Sequence, residues 1–217
     1  MLQLRNICKS YRTGDFTQVA LDDVSISFRD NEFVAILGPS GSERTPMDAK
    51  VYELINDQIN KELYSAYLYL AFADYYEEEG LSGYANYFEI QAAEERDHAL
   101  IFRKYLHENG EKVRLLAIDQ PEVTFANFLE PLEAAMEHEQ YVTSLIHDIY
   151  AAALEAHDYR AQKFLGWFID EQMEEEDNAD TMITNMKLFG GDPKGLYDLD
   201  RECAARVYST PSPLAAE

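Results

Sequence analysis

The stretch LSGYANYFEIQAAEERDHALIFRKYLHENG, residues 81–110, decides how this chain reads. Its apolar positions recur at helical spacing, and Asn109-Gly110 supplies a stop. Inside it lies AAEERDH (92–98), where Glu95-x-x-His98 puts a carboxylate and an imidazole on one helical face. A single pair of this kind on an amphipathic helix is ordinarily solvated. Its weight here comes from what other helices place at the same height.

Working outward, DAKVYELINDQINKELYSAYLYLAFADYYEEE (48–79) has the same helical period, no internal Gly or Pro, and Gly80 at its end. About fourteen residues without a clear period follow residue 110. A third helix is predicted from about Phe125 to Glu155, with Pro131 in its early turns. A fourth is predicted from about Asp158 to Phe189, closed by Gly190-Gly191, and GLYDLDRECAARVY suggests a short fifth before a Pro-containing tail. The first and third connections are short and imply antiparallel hairpins. Helices of about 28 residues span roughly 42 Å, and a 14-residue link reaches roughly 46 Å when extended. The middle link can therefore cross the whole bundle. The expected architecture is all-α: a four-helix bundle with one long crossover and a short fifth helix.

Heights along the rods follow. With Gly80 as the first pivot, Glu62 lies 18 residues before it and His98 lies 18 after it. With the second pivot near residue 156, Glu139 lies 17 before it, and Gln172 and Glu175 lie 16 and 19 after it. Four helices thus deliver Glu62, Glu95, His98, Glu139, Gln172 and Glu175 to one layer. Buried carboxylates are costly unless paired, so such a layer calls for cations. Oxygen donors with a single imidazole suit Fe or Mn better than a thiolate metal, and bridging carboxylates hold two such ions close together.

Charge points the same way. The 217 residues carry a formal net charge of −23, of which residues 1–46 contribute only −1. All five His also follow residue 46. Nucleic acid and anionic membranes are poor partners for such a chain, whereas cations are good ones. Cys8 and Cys203 have no metal-site spacing and imply no disulfide framework, and no signal-type or membrane-length apolar run is present. The expected setting is the cytoplasm.

Residues 47–217 resemble the bacterial non-haem ferritins in several separated blocks: NKELYSAYLY (60–69), AAEERDH (92–98), EHEQ (137–140), FLGWFIDEQMEEE (164–176) and KGLYDLD (194–200). The resemblance implies a hollow cage of 24 subunits that oxidises Fe(II) with dioxygen or peroxide and stores a ferric mineral. Carried over by position, Glu62, Glu95 and His98 correspond to ligands of a first iron, with Glu95 as the bridge. Glu139 and Glu175 correspond to ligands of a second, with Gln172 nearby. Glu94, Glu171 and Glu174, with Glu175, resemble a third iron site. Tyr69 matches a Tyr beside the centre, as hydrogen-bond partner or electron donor. Trp167 matches a nearby Trp whose alternative role is simple packing. A haem-binding relative would carry Met where Arg96 stands and a second ExxH where Gln172-x-x-Glu175 stands, so the resemblance points away from haem.

The first 46 residues have a different texture. LQLRNI and ALDDVSISF alternate as strands do, and EFVAIL runs into Gly38. This region resembles the opening of an ABC-transporter ATPase, with Tyr11 at the adenine-stacking position. Its phosphate loop is broken, however. Where G-x-x-x-x-G-K-[ST] is required, the second Gly is Glu43 and the Lys is Arg44, with Thr45 retained. An acid in an anion nest argues against nucleotide. Residues 1–46 are therefore expected to be a non-functional extension, poorly ordered or loosely docked, because so short a piece cannot cover both faces of a sheet. Thr45-Pro46-Met47-Asp48 reads as the next helix's start, with Thr45 as N-cap. Two other functions share these features: a di-iron oxygenase or peroxidase on the same bundle, and a structural cage that displays the N-terminal segment.

Overall fold

The computed structural model describes residues 2–13, 16–28 and 46–215. The chain divides into two units, Met1–Arg44 and Thr45–Glu217. The first is an antiparallel hairpin of β1 (Leu2–Thr13) and β2 (Phe16–Phe28), registered from Leu2 opposite Phe28 to Thr13 opposite Phe16. The register slips between Leu4 and Ser10. Asn6 and Asp23 take left-handed φ values of 51° and 48° there, a region these two residue types tolerate. Leu4, Ile7, Val24 and Ile26 are exposed; among the described residues of this unit, no second layer packs on the two strands. EFVAIL and the broken phosphate loop lie outside the described residues.

The second unit is a helical bundle. Helix α1 (Ala49–Glu78) begins at Asp48, whose carboxylate accepts from Lys50 N at 2.9 Å and Val51 N at 3.3 Å. Asp48, not Thr45, is thus the cap, because its side chain reaches the orphan amides from an extended backbone. Helix α2 (Ser82–Glu108) follows the positive-φ turn at Gly80. Its N-cap, Leu81, has no capping side chain; Gly83 N and Tyr84 N donate instead to Asp200 of α5 (Pro193–Ala204), at 2.8 and 3.0 Å. Any Cβ at residue 83 would collide with the Asp200 backbone, so glycine lets α5 sit there. Helix α3 (Glu130–Glu155) starts five residues later than its apolar pattern suggests. Pro131 occupies its first turn, and Asn127 Oδ1 accepts from Leu129 N and Glu130 N ahead of it. Helix α4 (Tyr159–Phe189) is capped by Asp158 after a turn at His157, where φ is 54°.

The crossover follows α1 along its length. Tyr52 Oη donates to the carbonyl of Lys112, Asn56 Nδ2 donates to that of Arg114, and at the far end Phe125 packs edge-on against Phe72 and Tyr75. Helix α3 then runs antiparallel to α1, since Phe128 meets Tyr76 and His138 meets Ser65. That makes α2 and α3 parallel, as a bundle-length crossover requires.

The apolar core comes in two clusters. One holds Val51, Ile55, Phe102, Leu106, Ile146 and Leu165, and the other holds Tyr69, Phe72, Tyr76, Phe88, Leu132 and Met186. On every one of the four long helices, the polar residues singled out above fall between residues of the two clusters.

Candidate metal centre

Glu62, Glu95, His98, Glu139, Gln172 and Glu175 are all buried, none more than 5% exposed. Burial is thus common to all six. Among the described residues, Glu62, Glu95 and His98 each offer a ligand atom, and these atoms all lie within 4.8 Å of one another. His98 Nδ1 is 3.7 Å from Glu95 Oε2, and His98 Nε2 is 3.7 Å from Glu171 Oε1. Both separations exceed a good hydrogen bond. Glu62 Oε1 accepts from Gln58 Nε2 at 2.8 Å, but Glu62 Oε2 and His98 Nε2 have no hydrogen-bond partner. A buried lone pair or N–H left this way is costly, and both of these atoms belong to members of the three-residue group.

The other half of the layer is bonded internally. The Tyr69 phenol donates to Glu139 Oε1, and Gln172 Nε2 donates to Glu139 Oε2 at 3.0 Å. Gln91 Nε2 donates to Glu175 Oε2 at 2.8 Å. A cavity lined by Tyr69, Gln91, Glu139, Glu175 and Ala179 adjoins this half, with room for about one water molecule.

Electrostatics reflect burial without enough counter-charge. Desolvation, then repulsion from Glu95, holds Glu62 well above the usual carboxylate range. Desolvation also raises Glu95, against the pull of His98. Glu139 is pushed up to about 7 by burial and then Glu175, and Glu175 is pushed up to about 7 by burial and then Glu95. Burial alone would lower His98, but Glu95, Glu171 and Glu62 outweigh it and hold the imidazole well above its ordinary value. Burial, with Glu139 next, raises the Tyr69 phenol, so it stays a neutral donor. The layer is short of positive charge, and protons or cations can supply it.

The remaining candidates divide. Glu171 faces His98 across the α2–α4 gap, and Glu94 pairs with Arg206 at 2.6 Å. Glu174 is exposed and lines an open surface cleft with Met136, Gln140 and Asp170. Trp167 stands edge-on to His98, with ring centroids 5.6 Å apart, and against Phe168 at 4.8 Å. His138 lies beside Ser65, 2.7 Å from its hydroxyl, and burial followed by Lys61 pushes it down to about 4. Sequence reasoning missed Gln58, Gln91 and Arg206. The two glutamines had a readable signal, since each lies four residues before a ligand-type Glu on the same helical face. Arg206 had none.

A family model described as a ferritin-like domain matches residues 52–189. A bacterial non-heme ferritin of Staphylococcus aureus is 34% identical over 162 residues, which are 75% of this chain and 98% of that protein. A probable bacterial non-heme ferritin-like protein of Haemophilus influenzae is 34% identical over 156 residues, 72% of this chain and 94% of its own. Among solved structures, an engineered closed form of the Archaeoglobus fulgidus ferritin superposes with a TM-score of 0.74 at 36% identity, covering 75% of this chain and 99% of that one. The open-pore ferritin of the same archaeon gives 0.73 at 36% identity, with the same coverage. The β-hairpin lies outside the stretch that the family model matches.

Proposed function

The chain belongs to the ferritin family, and on that premise we propose that its buried acidic layer is a ferroxidase centre for two irons. The protein's function is iron storage, so iron is here both substrate and cargo. In this reading Glu62, Glu95 and His98 hold one Fe(II). Glu139 and Glu175 hold a second beside Gln172, and Glu95 bridges the two. The observation that carries it is the buried group of Glu62, Glu95 and His98, whose ligand atoms lie within 4.8 Å of one another with no positive partner beyond the imidazole itself among them.

The chemistry follows from charge. The acidic field of the chain draws Fe(II) inward. Anionic oxygen ligands stabilise Fe(III) more than Fe(II), so a carboxylate-rich site favours loss of an electron from each ion. Dioxygen is the proposed oxidant, taking two electrons and two protons to give hydrogen peroxide. Peroxide as oxidant takes two electrons and two protons to give two waters. The cavity beside Glu139 and Glu175 is of a size for these small species, not for an organic substrate, which favours storage chemistry over an oxygenase. Tyr69 holds Glu139 in place through its phenol and is the ring proposed to pass an electron. Glu94 and Glu171, beside Glu175, border the proposed third position, while Glu174 faces the open cleft instead. The assembly is a homo-oligomeric cage, proposed at 24 subunits and cytoplasmic; among the described residues no helix is long and apolar enough to cross a membrane.

The test is aerobic Fe(II) addition to the assembled protein, with light scattering and electron microscopy. A cage-sized particle with a mineral core of hundreds of irons is expected. Stoichiometric iron without a core would favour the di-iron oxygenase. Oxidation unchanged by Glu95→Ala with His98→Ala would leave only a scaffold.

A further inference from the structure

The chain beyond α5 turns back along α2. Asn86 Nδ2 donates to the carbonyls of Cys203 and Arg206, both at 3.2 Å, the Tyr208 phenol donates to Asp97, and Lys104 Nζ reaches the Pro213 carbonyl at 3.2 Å. Midway, the Arg206 guanidinium lies 4.4 Å from the centre of the Tyr87 ring and donates through Nη2 to Glu94 Oε2 at 2.6 Å. The Arg206 and Glu94 side chains are only 24% and 17% exposed, so water screens this pair less than it screens an open surface pair. A guanidinium is permanently charged, and it can stack on a ring while bonding a carboxylate.

Its position matters because Glu94 does not stand alone. The Glu94 and Glu171 carboxylates repel each other across α2 and α4, and Glu171 also flanks His98. Two acids facing one gap call for a cation, and the tail delivers one covalently attached. We propose that Arg206 is a tethered cation on the Glu94 side of the third-iron position, a positioning residue that limits each subunit to two ions where Glu94 and Glu171 would otherwise take a third. This rests on the two-iron reading of the neighbouring layer.

The experiment is anaerobic Fe(II) titration of the metal-free assembled protein by calorimetry, paired with anomalous scattering from crystals soaked in Zn(II). Wild type binds two ions per subunit. Arg206→Met gains a third, with an anomalous peak between Glu94 and Glu171. Arg206→Lys stays at two, and adding Glu94→Ala to Arg206→Met returns the count to two. Tyr208→Phe releases the tail at Asp97 but keeps the guanidinium, and it also stays at two. The proposal is overturned if Arg206→Met binds only two ions, if Tyr208→Phe gains a third as well, or if wild type binds three with the Arg206–Glu94 pair intact. Wild type binding fewer than two would instead refute the two-iron reading itself, and this inference would fall with it.

Discussion

The α1–α2 half of the acidic layer and the α3–α4 half carry similar groups in opposite states. On the first side, Glu62 Oε2 and His98 Nε2 are unpartnered, and three ligands already crowd together. On the second, both oxygens of Glu139 are engaged, by Tyr69 and Gln172, while Glu175 keeps one bond to Gln91. In the proposed two-iron reading, a first ion would gain contacts without breaking any of these bonds, whereas a second would have to displace a neutral donor from Glu139. The difference teaches that the same side chains can present either free or already bonded oxygens to a site, depending on which neutral donors pack beside them.

The harshest way to break this asymmetry is Glu95→Ala with His98→Ala. Stopped-flow absorbance should show the initial Fe(II) oxidation rate falling by more than about 100-fold, beyond what losing an outer partner of a metal ligand costs. A fall of only a few-fold would mean the tight position lies elsewhere. Next in size is Glu175→Ala. Anaerobic calorimetry should lose the weaker of two binding events and keep the tighter; loss of the tighter one would invert the assignment. Smaller still is Gln91→Leu, which removes the donor that orients Glu175. It should weaken the second event about tenfold while leaving the first in place, and Gln58→Leu should do the reverse. The smallest change is Tyr69→Phe. Freeing Glu139 Oε1 should tighten the second event by up to about tenfold, the worth of one hydrogen bond. The metal-free protein should meanwhile melt at a lower temperature. A weaker second event in this variant would show that the phenol bond survives metal binding.

Much of this could be read from the chain before any coordinates. Gly80 and the turn near residue 156 set two pivots, and counting from them brings Glu62 level with His98, and Glu139 with Gln172 and Glu175. All of these groups prove to be buried between the two apolar clusters. Helix starts were less legible. Asp48 and Thr45 are both good caps by type, and only the folded backbone shows that Asp48 reaches the free amides. The start of α3 was blurred by apolar residues at Phe125, Phe128 and Leu129, which pack against the bundle from the connection before α3.

Height along a rod is a local property, because the rise per residue is constant. Periodicity and turn residues alone could therefore determine which side chains share a level. Whether Glu174 turns to the surface while Glu171 meets His98 depends on how each helix is rotated and what packs against it. Likewise, the Arg206 that neutralises Glu94 comes from 112 residues away, along a tail whose path no local pattern encodes. Those choices belong to the tertiary structure, since pairing across such separations is set by packing and charge in three dimensions.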